Sequence, residues 1–363
     1  MKIGLVGLPN VGKSTLFNAL TLSEVEAANY PFATIEPNIA VVEIKDERVK
    51  ALGELFSSKK LIYNQLQFVD IAGLVKNASK GEGLGNKFLT NIREVDAIVH
   101  VVRLFDDDKI IHVHHQIDPL VDIETVNIEL IFSDLDQIEK WLKKNKTIVT
   151  NTGKLKAEYN LMLRLKAHLE TQQLLSTFNF DNEPIGFVKP FNFLTNKPVL
   201  YVCNVSEEEI EHPNKNSHYK AIKHYVKKTN SEIVFISAKI EEEISKLPEE
   251  EQALFLHELK IPSSGLNLIS QTIFHLLHLA TYFTAGPQEI HAWPFPLGTN
   301  AKEGAGIIHS DFAKGFIKAE IYNYNDIKKY KTEQTLKENG LLRLEGKEYL
   351  LKDGDVCHFR FNI

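Results

Sequence analysis

The chain has only two cysteines in 363 residues, Cys203 and Cys357. Two thiols cannot build a disulfide framework, so a packed core must hold the fold, and a reducing cytoplasm is the expected setting. No apolar run approaches the ~20 residues that a membrane-spanning helix needs, so no membrane partner is expected. Positive charge is not in excess: 42 Lys and Arg face 48 Asp and Glu, a net charge of -6. The molecule as a whole is therefore not an electrostatic binder of nucleic acid, and any RNA contact has to come from a local basic patch. The first apolar run starts at Ile3, so no targeting segment is expected ahead of it. At 43% hydrophobic residues, the length suffices for two or three domains with sizeable cores.

What the chain does have begins at once. Ile3 to Val6 reads as a buried strand, and Leu16 to Leu20 as the start of a helix. Between them lies Gly7-Leu8-Pro9-Asn10-Val11-Gly12-Lys13-Ser14-Thr15. This is G-x-x-x-x-G-K-[ST] in its required strand–loop–helix setting, a P-loop. The glycines let backbone N–H groups close around phosphate oxygens, and the helix N-terminus adds partial positive charge. Lys13 is expected at the β- and γ-phosphates, and the Ser14 hydroxyl on Mg²⁺.

Such a site needs a residue that senses the γ-phosphate through the metal. Thr34, in the loop between Pro31 and Pro37, is the candidate. The strand Leu66–Asp70 runs into Asp70-Ile71-Ala72-Gly73, a D-x-x-G element. Asp70 can hold Mg²⁺ through a water, and the Gly73 N–H can meet the γ-phosphate. Many such enzymes follow this glycine with a glutamine that orients the attacking water, but Leu74 stands here. Hydrolysis must use another group or be slow. The following run, Ser79-Lys80-Gly81-Glu82-Gly83-Leu84-Gly85-Asn86, predicts a mobile switch segment. Beyond the strand Asp96–Arg103 come His112, His114 and His115. They lack the supporting ligands of a zinc site. Solvated loop histidines, or one histidine swung toward the γ-phosphate, both fit the residues.

Apolar residues Ile131, Leu135, Ile138, Trp141 and Leu142 have helical spacing, as do Leu155, Tyr159 and Leu165 after a break at Asn151-Thr152-Gly153. They predict an antiparallel helical arm over 128–196. From Lys140 to Lys166 it carries eight Lys or Arg against Glu158 alone, either a solvated face or the best local patch for RNA. The α/β pattern then resumes with the strand Pro198–Cys203, ending in Asn204-Val205-Ser206-Glu207. In GTPases this place holds N-K-x-D, whose Asp takes the guanine N1–H and N2–H₂ donors. With Val205 and Glu207 here, the longer carboxylate is expected to pair poorly with guanine, while Asn204 can still bond a purine edge. Ser237-Ala238-Lys239 closes the next strand as the S-A-K turn beside the base. A helix over 264–283 and then a mixed-β module follow, with strands expected at 289–293, 306–309, 315–321, 347–351 and 356–361.

Over nearly its whole length the chain resembles the YchF group of Obg-related, translation-factor-class P-loop NTPases. The P-loop, Asn29-Tyr30-Pro31-Phe32 with Thr34, Asp70 to Leu74, Lys80 to Leu89 and Asn204 to Glu207 carry the resemblance. Gly306 to Phe361 looks like a TGS domain. The resemblance implies an α/β P-loop domain (1–127 with 197–283), the inserted arm and a TGS-like domain (284–363). It further implies an ATPase with relaxed or inverted base preference that associates with ribosomes, and Mg²⁺-dependent hydrolysis of ATP, with GTP the poorer substrate, is the expected chemistry. The family's proposed catalytic histidine falls on His112. Asn10 matches an asparagine that helps bind a monovalent cation in potassium-activated relatives, so K⁺ is a candidate there beside Mg²⁺. Nucleotide contacts are expected from Asn10 to Thr15, Asn204, Val205, Glu207, Ser237 and Ala238. A monomer is the default. Two alternatives stay open: a guanine-specific GTPase, and a nucleotide-gated ribosome or RNA adaptor whose hydrolysis is incidental.

Overall fold

The computed structural model describes residues 1–23, 38–71, 84–107, 117–181 and 183–362. Thr34, the Gly73–Leu74 pair, the glycine-rich run up to Gly83 and His112 lie outside the described residues. Along the chain come β1 (Lys2–Val6), α1 (Lys13–Leu22), β2 (Ile39–Ile44), α2 (Glu47–Phe56), β3 (Lys60–Ile62), β4 (Asn64–Asp70), α3 (Leu84–Arg93) and β5 (Ala97–Arg103). Next are α4 (Pro119–Thr152), α5 (Lys156–Glu170), α6 (Ile185–Val188), β6 (Val199–Asn204), α7 (Tyr219–Lys228), β7 (Glu232–Ile236), α8 (Ala238–Ser245), α9 (Glu249–Glu258) and α10 (Gly265–Leu276). The chain ends with β8 (Leu279–Ala285), β9 (Glu289–Pro296), α11 (Ala301–Ile308), α12 (Ser310–Lys314), β10 (Phe316–Asn323), α13 (Tyr324–Tyr330), α14 (Glu333–Glu338), β11 (Arg343–Glu345) and β12 (Asp355–Phe361).

Contacts divide the chain into two units, Met1–Val42 with Gln67–Ile269, and Glu43–Leu66 with Ser270–Ile363. The first contains a six-stranded sheet in the order β2-β4-β1-β5-β6-β7. β1 pairs in parallel with β4 and β5, and β6 pairs in parallel with β5 and β7. Every residue of β5 is buried, as expected of a parallel strand covered on both faces. This order brings the C-terminal ends of β1, β5, β6 and β7 together, which is where such sheets place their ligands.

The arm starts earlier than its apolar spacing suggested. Pro119 occupies the first turn of α4, and the Asp118 carboxylate caps it by accepting from the N–H groups of Leu120 (3.1 Å) and Val121 (3.3 Å). The helix ends at Gly153, whose φ of 66° is left-handed and suits glycine. α5 then returns, and Ile138, Leu142, Leu161 and Leu165 form the shared core. The buried Asp134 fastens α4 to the segment leading into β6: it accepts from the N–H of Leu194 at 3.1 Å and of Thr195 at 2.8 Å. Arg93 reaches Gln137 and Ser133 of α4, each at 2.8 Å.

The second unit holds a mixed sheet in the order β11-β10-β12-β8-β9-β3. One face packs Tyr282, Phe295 and Phe359 against Ala301 and Ala305 of α11, and the other packs Phe283 and Ile290 against Val49 and Leu52 of α2. Three expectations change here. The strand expected at 306–309 is the end of α11, which a reciprocal capping box between Asn300 and Glu303 initiates. Residues 347–351 contribute an isolated bridge between Leu350 and Asn300 rather than a strand. The helix expected to reach Phe283 stops at Leu276, and β8 pairs with β9 instead. The 43–66 stretch and 270–283, assigned by sequence to the nucleotide domain, belong by contact to the second unit: β3 pairs in parallel with β9, and β8 pairs with β9 and β12.

Candidate nucleotide-binding site

At the C-terminal ends of β1, β6 and β7 lies a cavity of about 1140 Å³. Its walls include Gly7, Asn10, Gly12, Lys13, Ser14 and Thr15 on one side, and Asn204 to Glu208 and Ser237 to Lys239 on another. Two motifs that lie about as far apart in sequence as Lys13 and Asn204 thus face one space.

The glycines of the loop are required by contact and by backbone. A Cβ on Gly7 would sit 2.7 Å from the Val101 carbonyl oxygen. Gly12 caps α1 in the left-handed region at φ 96°, and a Cβ there would lie 2.2 Å from the Asn204 amide nitrogen. Asn10 also has positive φ, 65°, which Asn tolerates better than most residues. The Val11 side chain is 1% exposed, so it anchors the loop in the core and meets its neighbours at the site through its backbone. The Lys13 ammonium donates to the Asp70 carboxylate at the end of β4, joining the P-loop to the D-x-x-G strand.

Asn204 was expected to face the base. It lines the cavity, yet both ends of its amide are already engaged. Nδ2 donates to the Val11 carbonyl at 3.0 Å, and Oδ1 accepts from the Ala238 N–H at 2.9 Å. Its structural part is therefore to lock the P-loop to the Ser237-Ala238 turn. Val205 is buried, and its N–H donates to the Ile236 carbonyl at 2.8 Å, which fastens the end of β6 to β7. Glu207 lines the cavity and makes an ion pair with Lys239 at 2.6 Å.

Phe105, Asp106 and Asp107 form a further wall that sequence reasoning did not identify. The buried Arg103 holds it from below. Its Nε donates to the Phe105 carbonyl at 3.1 Å, its Nη2 to that of Asp107 at 3.3 Å, and its guanidinium lies 4.4 Å from the centre of the Phe105 ring. The signal was an arginine ending an otherwise apolar buried strand, a residue that is rarely buried without a task. Among the described residues no group of three or more His, Cys, Asp or Glu is arranged to hold a metal ion; His112, His114 and His115 lie outside them. No helix among them is long and apolar enough to cross a membrane.

Residues 2–152 match the family model of the 50S ribosome-binding GTPases, and residues 279–362 match the YchF GTPase C-terminal model, described as a protein of unknown function. The chain is 50% identical over 361 residues to the "Ribosome-binding ATPase YchF" of Bacillus subtilis, covering 99% of each chain. It is 45% identical to the protein of the same name from Escherichia coli O157:H7, covering 100% of this chain and 99% of the other. The chain belongs to the YchF family. A solved YchF GTPase from Schizosaccharomyces pombe superposes with a TM-score of 0.89 at 38% identity, covering 99% of this chain and 97% of that one. A GTP-binding protein from Pyrococcus horikoshii shares the fold, with a TM-score of 0.62 at 22% identity. Membership of the YchF family makes the protein a P-loop NTP hydrolase.

Proposed function

We propose that the chain is a Mg²⁺-dependent ATPase that acts as a nucleotide switch on the ribosome, with GTP the poorer substrate. The observation that carries the base preference is the Glu207–Lys239 ion pair. The carboxylate that would have to accept from guanine N1–H and N2–H₂ is already accepting from an ammonium at 2.6 Å. The names of the Bacillus and Escherichia relatives support both ATP and the ribosome.

The donor set fits Mg²⁺. Ser14 offers a hydroxyl beside Lys13, and Lys13 meets the Asp70 carboxylate, so hard oxygen ligands flank the phosphate loop. In this reading Ser14 and Thr34 hold the ion with Asp70 behind them, and bound Mg²⁺ neutralises charge on the phosphates. The protein's own residues do the rest. Loop N–H groups and Lys13 stabilise charge that develops on the phosphoryl oxygens. The Gly73 N–H meets the γ-phosphate. Leu74 cannot orient water, so His112 takes that task, and basal turnover is slow until a partner completes the site.

The arm supplies a surface for that partner. Of the eight basic residues from Lys140 to Lys166, Lys140, Arg164 and Lys166 pair with Asp136, Glu183 and Glu139. Lys143, Lys144, Lys146, Lys154 and Lys156 are exposed around the hairpin turn at Gly153, where they can meet phosphates of ribosomal RNA. The test is phosphate release from ATP with Mg²⁺, with and without ribosomes. Stimulation by ribosomes supports the switch. Ribosome binding that ignores the nucleotide and leaves turnover unchanged supports an adaptor instead.

A further inference from the structure

We propose that Lys239 is a specificity-determining residue, acting on base choice by occupying the Glu207 carboxylate. The sequence offered a different reason for weak guanine reading, the reach of a longer side chain. The structure offers occupancy. Glu207 and Lys239 both line the cavity, Glu207 just beyond β6 and Lys239 in the first turn of α8. Their backbones are held in place from beneath: Asn204, three residues before Glu207, accepts from the N–H of Ala238, the neighbour of Lys239. The two side chains therefore emerge from one braced platform and close a pair at 2.6 Å. The hydrogen bond to Glu207 raises the Lys239 pKa, so the ammonium stays charged across neutral pH.

Guanine presents N–H donors toward a carboxylate at this place, whereas adenine presents no N–H at its N1 position. A guanine must therefore compete with the Lys239 ammonium for the Glu207 oxygens, and adenine need not. Both side chains are substantially exposed, 68% and 48%, so water screens the pair and its effect is modest. An exposed pair of this kind changes an equilibrium by about fivefold or less. The inference rests on the assignment of this pocket wall to the base, but it concerns a change in preference rather than the preference itself.

The experiment measures equilibrium binding of non-hydrolysable ATP and GTP analogues with Mg²⁺ to the full chain and to Lys239→Ala, Lys239→Arg, Glu207→Gln and the double variant Lys239→Ala/Glu207→Gln. The readout is the ratio of the two dissociation constants, from which effects common to both nucleotides cancel. Lys239→Ala is expected to move the ratio toward GTP by about two- to fivefold. Lys239→Arg keeps the ion pair and the native ratio. In the Glu207→Gln background, Lys239→Ala leaves the ratio where it was. Raising NaCl screens the pair and moves the native ratio toward GTP, but not that of Lys239→Ala. A ratio unchanged by Lys239→Ala, or moved toward ATP, overturns the proposal. So does the same shift in the Glu207→Gln background. The native ratio alone judges the proposed ATP preference, so either idea can fail without the other.

Discussion

The side-chain amide of Asn204 donates to the backbone carbonyl of Val11 at 3.0 Å, joining the end of β6 to the phosphate loop. The same side chain accepts from Ala238, so one buried amide sets the distance between the walls that would hold phosphate and base. Asn204→Ala strands a buried carbonyl and a buried N–H, each costing about 1–3 kcal/mol. Nucleotide affinity is expected to fall roughly tenfold or more for ATP and GTP alike, with a lower melting temperature. Loss of one nucleotide only, in paired titrations, would mean that Asn204 reads the base after all.

Variants of Lys13 and His112 are expected to differ in what they lose. Lys13→Ala removes the ammonium that joins the phosphate loop to Asp70, and is expected to lower hydrolysis by roughly a hundredfold or more and to weaken binding as well. His112→Ala is expected to lower hydrolysis while affinity stays nearly intact. Single-turnover rates measured beside dissociation constants check this, and equal loss of both by His112→Ala removes its catalytic assignment.

His100 is expected to make the first unit sensitive to acid. It is buried in β5 against the Tyr201 ring, and burial lowers its pKa from 6.5 to about 3. A group whose folded pKa is depressed contributes stability above its unfolded pKa and loses it as pH falls. The loss here runs from about pH 6.5 down to about pH 3, at up to about 1.4 kcal/mol per pH unit for the one proton taken up on unfolding. His100→Phe keeps a ring against Tyr201 and removes that proton. Denaturant titrations between pH 7 and pH 4 should give a shallower fall in stability for the variant. Parallel curves would show that His100 is not the group responsible.

The exposed lysines around the arm turn should matter to the ribosome and not to the nucleotide. Replacing Lys143, Lys144, Lys146, Lys154 and Lys156 by Glu is expected to weaken ribosome binding and flatten its salt dependence, leaving ATP affinity unchanged. Sedimentation with ribosomes over a salt series measures both. Unaltered binding would move the contact away from the arm.

Much of this was legible in the chain because the backbone demands it. Gly12 must adopt φ 96° against Asn204, and few other residues fit, so the P-loop is written in residue type. Ile3 to Val6 of β1 and Val199 to Cys203 of β6 are short, largely apolar runs, and the arm repeats Ile131, Ile138 and Leu142 at helical spacing. What was not legible depends on partners distant in sequence. Nothing in Asn204 itself announces that its amide bonds Val11 and Ala238. Nothing in Lys239 announces Glu207. The segment 306–309 looked like a strand because Ile307 and Ile308 favour strands, but the Asn300–Glu303 capping box and packing on Tyr282 and Phe359 make it helix. Short β3 gave no signal because its pairing partner, β9, is far along the chain.

The most direct measurement is equilibrium binding of ATP and GTP analogues to the same preparation with Mg²⁺. Tighter binding of ATP is the expected result, because Glu207 is engaged by Lys239. Tighter binding of GTP would contradict it: Glu207 would then be reading guanine, and the substrate would change while the P-loop roles remained.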